Sequence, residues 1–221
     1  QFGAGEDLDA YPRTFDADCA LLEPLGVELV FAPTASSMYP SGPRTTIHPG
    51  EAGAILEGAA RPTHFAGMLT VVNKLLNIAA PHAAYFGEKD YQQLVIVRQM
   101  ARDLSFPVEV VGCPIVREPD GLAMSSRNVY LTPDERAEAP VLRRALLAGA
   151  AAIRDGMTDA AEVKELMASM IDAAPYARLD YVEVADPDTL EPQDVATTTS
   201  RLFGAVRFGR ARLIDNVGVG G

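Results

Sequence analysis

Tyr85-Phe86-Gly87-Glu88-Lys89-Asp90-Tyr91-Gln92-Gln93 is the stretch on which the fold of this chain turns. Just before the turn, residues 83–86 form a short apolar run bounded by Pro81 and Gly87. After it, Leu94, Val95, Val97, Met100, Ala101 and Leu104 recur at helical spacing. That order predicts a strand, a tight turn and a helix. Lys89 falls in the turn, where the first N–H groups of a helix lack intrahelical partners. Those N–H groups, the positive end of the helix dipole and an ammonium together favour an anion, phosphate above all.

The same alternation continues on both sides. Residues 16–25 predict a short helix. Residues 27–31 are continuously apolar up to Pro33, the pattern of a buried parallel strand. Residues 38–50 are broken by Pro40, Gly42, Pro43 and Pro49, with a short edge strand expected at 45–47 and a helical turn at 51–57. Thr63 is placed to cap a helix whose Phe65, Met68, Leu69, Val72, Leu75, Leu76 and Ala79 follow a 3.6-residue period. Strands are expected at 108–111 and 115–116 around Gly112-Cys113-Pro114. Strands alternating with helices build a parallel sheet, and such sheets bind ligands beyond the carboxyl ends of their strands. Lys89 lies where that rule puts a ligand.

Beyond residue 116 the pattern changes. Thr132-Pro133-Asp134-Glu135 has a Thr cap, a Pro at the first helical position and a Glu three residues past the cap. The helix it starts is expected to run to Arg154 despite Pro140. A second helix follows over 159–173, then strands at 179–184, 202–206 and 211–214, the last two as an antiparallel hairpin. The fold class is therefore α/β: a Rossmann-like parallel sheet over residues 1–116, followed by a smaller α+β domain over 117–221.

The chain has 221 residues with a net charge of −11, which argues against nucleic acid or anionic membrane as a partner. An anionic ligand would need positive charge gathered locally. Only three of the 19 basic residues are lysines (Lys74, Lys89, Lys164), and one of them sits in the βα turn. Cys19 and Cys113 have no ligand spacing, and His48, His64 and His82 form no metal-binding cluster. With no long apolar run and no signal-peptide pattern, a soluble intracellular protein is expected.

Three further groups can carry chemistry. Ser125-Ser126-Arg127 puts two hydroxyls beside a guanidinium, a compact anion cradle with charge-assisted donors. Gln1, Gln92 and Gln93 carry amides that donate and accept, which suits a small hydroxy acid. Arg61-Pro62-Thr63-His64-Phe65 places a guanidinium and an imidazole at a helix start.

Phe86 to Gln93, Arg61-Pro62-Thr63-His64-Phe65-Ala66-Gly67, Met124-Ser125-Ser126-Arg127-Asn128 and Tyr11-Pro12-Arg13 together resemble the pantoate–β-alanine ligase family, from Gln1 to Arg212-Leu213-Ile214-Asp215-Asn216. The resemblance implies a nucleotidyltransferase-type Rossmann domain closed by a smaller lid, in a cytoplasmic homodimer. It also implies an ATP- and Mg2+-dependent reaction: pantoate is adenylated with loss of pyrophosphate, then β-alanine displaces AMP. By motif position Lys89, Ser125, Ser126 and Arg127 would hold phosphates. Gly87 and Asp90 would lie at the ribose, with Val116 and Met124 near the adenine. Gln1 and Gln93 would hold pantoate, Arg61 and His64 would lie near β-alanine, and Asp18 is a candidate for the magnesium environment. The 38–60 loop and the lid are expected to shield the adenylate from water.

The family's H-x-G-H motif is not in this sequence, which opens on Gln1. On that ground the chain by itself is expected to be poorly active, and the alternative is a truncated, impaired homologue retaining only nucleotide binding or subunit pairing. A different nucleotidyltransferase is a third possibility, which the two pantoate-side glutamines and the Arg61–His64 motif disfavour.

Overall fold

The computed structural model describes residues 13–220, so the expectations for Gln1 and for Tyr11-Pro12 lie outside the described residues. Helix α1 (Phe15–Leu22) tightens into a 3-10 turn, Glu23–Leu25, which Gly26 closes with φ 74°. Two single-turn helices follow, α2 (Ala35–Met38) and α3 (Glu57–Ala60), then the long α4 (His64–Ala79). Strand β1 (Ala83–Gly87) leads through the 3-10 turn Glu88–Asp90 into α5 (Tyr91–Asp103) and on to β2 (Glu109–Cys113). The two strands are parallel, Ala83 opposite Glu109 and Gly87 opposite Cys113, as a strand–helix–strand unit requires. Helices α4 and α5 bury Phe65, Met68, Leu69 and Leu76 against Ile96, Val97 and Met100, and Ala84, Phe86 and Val110 of the sheet pack on that cluster.

The second half is antiparallel. Helices α6 (Pro133–Glu138), α7 (Val141–Arg154) and α8 (Ala160–Asp172) precede strands β3 (Ala177–Ala185), β4 (Arg201–Phe208) and β5 (Ala211–Gly218), ordered β3-β4-β5. Leu146, Val163, Met167, Ile171, Val184 and Leu202 are all fully buried between the helices and the sheet. Each such side chain contributes about 1.5–3 kcal/mol by leaving water. Gly149 lets α7 and α8 close, because a Cβ there would stand 2.9 Å from the Met167 sulfur. A third cluster (Val95, Ala185, Leu190, Phe203) joins the halves, with Ile55, Leu56, Tyr91 and Tyr181 packed around it.

Several expectations are corrected. Residues 27–31 form no strand, and Val27, Leu29, Val30 and Phe31 are exposed. Apolar continuity signals burial, but a strand also needs a neighbour for its N–H and C=O groups, and none flanks it among the described residues. Residues 45–47 are not an edge strand either: the Ile47 N–H donates to the Thr70 hydroxyl of α4 instead. Residues 115–116 stop short of pairing in the sheet. The chain there turns back on itself, with Arg117 bridging Ala123 and the Met124 N–H donating to the Val116 carbonyl. Thr63 stands at the start of α4, but its side chain makes no capping bond.

The helix expected to reach Arg154 in one piece is broken at Pro140, which has no N–H and crowds the preceding turn. Its start is as expected. The Thr132 hydroxyl accepts from the Glu135 N–H, and the Glu135 carboxylate accepts from the Thr132 N–H.

Candidate active site

Lys89 sits at the carboxyl end of β1, in the turn that opens α5. Its ammonium lies 3.7 Å from the Asp90 carboxylate. The turn is held from the other half of the molecule. Asn216 of β5 donates through Nδ2 to the carbonyls of both Glu88 (2.9 Å) and Lys89 (3.1 Å). The Asn216 side-chain oxygen accepts from Arg201 of β4, whose guanidinium lies 3.7 Å above the Tyr91 ring.

Ser125 and Arg127 reach the same place from the junction between the halves. Ser125 opens the 3-10 turn Ser126–Tyr130, and its hydroxyl accepts from the Arg127 N–H at 3.2 Å. Both line a pocket of about 450 Å³ with Lys89, Asp90, Gln93, Arg61 and His64. That volume is in the range of small-ligand sites. The pocket gathers six cations, Arg61, Lys89, Arg127, Arg207, Arg210 and Arg212, against three carboxylates, Glu57, Asp90 and Asp215, a positive excess in a chain whose net charge is −11. The local concentration of positive charge that an anionic ligand demands is therefore built here. Among the other expected site residues, Gly87, Val116, Met124 and Ser126 do not line the pocket. Val116 and Met124 are both more than half exposed. Asp18 lies on α1, away from the pocket, and accepts from the Thr14 hydroxyl at 3.1 Å.

Gln92 is corrected. It is buried, and its amide is spent on the protein itself. Nε2 donates to the carbonyls of Ala52 (2.7 Å) and Ile55 (2.8 Å), and Oε1 accepts from the Glu57 N–H (2.9 Å). These bonds pin the segment expected to be a loose cover. Lys74 holds its other end by donating to the Met38 carbonyl at 2.5 Å. Within the segment, a Cβ on Gly58 would stand 1.9 Å from the Gly53 carbonyl oxygen, so only glycine allows that crossing.

The floor of the pocket is a network that sequence reading missed. Arg212 of β5 grips the Glu57 carboxylate with two bonds (2.6 and 2.8 Å) and donates from Nε to Asp180 (2.6 Å). The Tyr181 hydroxyl also donates to Glu57, at 2.9 Å. Burial, reinforced by the Glu57 charge, pushes the Tyr181 phenol well above its ordinary range. Burial works against the Arg212 charge, but Glu57 and Asp180 outweigh it and hold that pKa above its usual value. Within the second half, Arg117 at its start is tied to Asp215 of β5 through two bonds of 2.7 and 2.9 Å. Glu57 lies 155 positions from Arg212, so no local pattern in the sequence announced this network.

The geometry agrees with what similarity shows. The Pantoate-beta-alanine ligase family model matches residues 1–218. The pantothenate synthetase of Nocardia farcinica is 59% identical over 219 residues, covering 99% of this chain and 67% of that protein. The pantothenate synthetase of a Roseiflexus strain is 55% identical, covering 98% and 78%. The crystal structure of pantothenate synthetase from Thermus thermophilus superposes with a TM-score of 0.93 at 50% identity, covering 99% of this chain and 79% of that one. The Francisella tularensis pantoate-beta-alanine ligase, determined in complex with beta-gamma ATP and β-alanine, superposes with a TM-score of 0.76 at 34% identity, covering 97% and 74%. These matches establish an α/β nucleotidyltransferase-like fold and favour the ligase over the impaired homologue. This chain belongs to the pantoate-beta-alanine ligase family, enzymes that join pantoate to β-alanine through a new C–N bond.

Proposed function

We propose that the pocket takes ATP with its phosphates toward Lys89, Ser125, Ser126 and Arg127, adenylates pantoate, and passes the adenylate to β-alanine. The observation that carries this reading is the meeting of three separate stretches, around Arg61–His64, Lys89–Gln93 and Ser125–Arg127, on one cationic pocket. The Francisella relative, solved with beta-gamma ATP and β-alanine, supports the choice of ligands.

In the first step the pantoate carboxylate attacks the α-phosphorus, and the bond to the pyrophosphate oxygen breaks. Negative charge spreads over the equatorial oxygens, and fixed cations such as Lys89 and Arg127 lower that barrier without reorganising. Asp90 is assigned to the ribose end; Gly87 at the ribose and the backbone of Val116 and Met124 at the adenine, none of which lines the pocket, are assigned to the part of the nucleotide that extends beyond it. Gln93 is assigned to pantoate, together with Gln1. In the second step the β-alanine amine attacks the acyl carbon and AMP leaves. Arg61 suits the β-alanine carboxylate, and the His64 imidazole suits the proton released from the amine.

The mixed anhydride must be kept from water until then. The segment pinned by Gln92 and the smaller unit, residues 117–221, are assigned that cover. Magnesium is assigned to the triphosphate itself, which suits an ion that binds through one or two carboxylates plus phosphate oxygens. No cluster of three potential protein ligands occurs among the described residues, and Glu57 and Asp215 are already committed to arginines. The cytoplasmic homodimer belongs to the same proposal. Sedimentation would measure the assembly. Among the described residues no helix is long and apolar enough to cross a membrane.

The test is pantoate-dependent release of pyrophosphate from ATP by the full chain. Lys89→Ala and Arg127→Ala are each expected to slow it about 100-fold or more, the scale of removing one group that stabilises transition-state charge. Full activity in both variants would overturn the assignment.

A further inference from the structure

We infer that Asn216 is the positioning residue that aims Lys89, with Arg201 holding Asn216 in place; this rests on the reading that Lys89 meets the phosphates of ATP. The carbonyls of Glu88 and Lys89 belong to the two peptide planes on either side of the Lys89 Cα. Each plane is rigid, so fixing both carbonyls fixes the direction in which the Lys89 side chain leaves the backbone. Asn216 fixes both with one amide, through bonds of 2.9 and 3.1 Å from Nδ2.

The rest of the arrangement is consistent with that task. Asn216 is only 3% exposed, so water does not compete for these bonds. Its oxygen is occupied by Arg201, which sets the amide the right way round, nitrogen toward the turn. Arg201 in turn stacks 3.7 Å over Tyr91, the first residue of α5, and Tyr91 packs against Phe203 with ring centroids 5.9 Å apart. The turn and the helix start behind it are thus both referenced to β4 and β5 of the other half. No other side chain of this size can substitute. Aspartate keeps the acceptor for Arg201 but has no N–H for the two carbonyls, and serine has a single donor. The lysine of the nucleotide step is therefore held by a residue that does not line up with it in any local motif, 127 positions away in sequence.

The test uses the full chain and separates the two half-reactions. Pantoate-dependent pyrophosphate release gives KM for ATP, and pantoyl adenylate supplied directly with β-alanine gives the aminolysis rate. For Asn216→Asp the KM for ATP is expected to rise about tenfold or more, with aminolysis held within about threefold, because a displaced positioning group penalises the step it serves. A purely structural role would lower both half-reactions together, or lower the melting temperature with no change in KM, and either result overturns the assignment. If Asn216→Asp does not fold, Arg201→Gln reads the same split through the second member of the chain, and an unchanged KM for ATP there overturns it equally. Lys89→Ala separates the two readings. If it leaves both kcat and KM of pyrophosphate release unaltered, the phosphate assignment itself fails. If it is impaired while a folded Asn216→Asp is normal, only the positioning role fails.

Discussion

The described residues of the two halves are packed differently. Residues 117–220 fold around a core in which α7, α8 and three antiparallel strands leave Leu146, Met167, Ile171 and Leu202 without exposed surface. The first half has two paired strands among its described residues, and Leu29, Phe31, Tyr85 and Ile78 stand in solvent. Yet the first half carries the turn with Lys89 and the helix start with Arg61 and His64. The contrast points to a division of labour: the half with the denser core acts as the reference frame, and cross-half bonds transmit its order to the site. Asn216 and Arg212, both on β5, make those bonds. A strand pinned on one side by β4 and packed beneath by α7 is a stiff place from which to hold a turn.

The largest way to break the comparison is to remove Asp215. Arg117 would then keep its charge in a site that leaves its side chain 16% exposed, with its main partner gone. Stranding one member of a buried pair costs about 3–5 kcal/mol. Asp215→Ala is expected to lower the unfolding free energy of the half that holds both partners, residues 117–220, by that amount. Coincident loss measured by probes in both halves would show instead that they unfold as one unit. Next in size is Gly58→Ala. The added carbon would meet the Gly53 carbonyl at 1.9 Å, and backbone cannot step aside as a side-chain end can. Overpacking of this kind costs about 1–3 kcal/mol. The expected signature is weakened protection of amides over 51–60 in hydrogen exchange, while α7 and α8 keep theirs.

Much of this was legible in the sequence. The strand–turn–helix at Lys89, the capping box at Thr132 and the β4–β5 hairpin follow from period, cap and turn chemistry, which act over a few residues. The convergence of Lys89 with Ser125 and Arg127 was also readable, because strand ends in such sheets face one side. What stayed hidden depends on partners. Residues 27–31 have the composition of a buried strand but no paired neighbour among the described residues, and composition does not report a neighbour. Gln92 and Gln93 are adjacent and chemically identical. Both border the pocket, and only the packing of residues 52–57 against α5 decides that the Gln92 amide is spent on that backbone. Asn216, Glu57 and Arg212 act across 127 to 155 positions, and a single sequence carries no sign of which distant residues will meet.

The smallest effect sharpens the comparison at the seam between the halves. Leu190 is fully buried in the cluster with Val95 and Phe203, and it sits there with φ 67°, a region costly for a side chain bearing a Cβ. The turn that imposes this is set by Asp186, whose carboxylate accepts from the N–H groups of Asp188 and Thr189, both at 2.9 Å. Those two bonds, Thr189 first, hold the Asp186 carboxyl below the ordinary carboxylate range. A depressed folded-state pKa contributes stability above the unfolded value near 3.8 and loses it as pH falls through the folded value. Asp186→Asn keeps an acceptor but not the charge, and the turn is open to solvent, so the expected loss at pH 7 is no more than about 1 kcal/mol. Measured as the difference in stability between variant and parent, that loss should shrink steadily below about pH 4 and vanish once Asp186 is protonated in both states. A difference that stays constant with pH would mean that the shape of the amide, not the lost charge, disturbs Leu190, and the seam would then depend on packing alone.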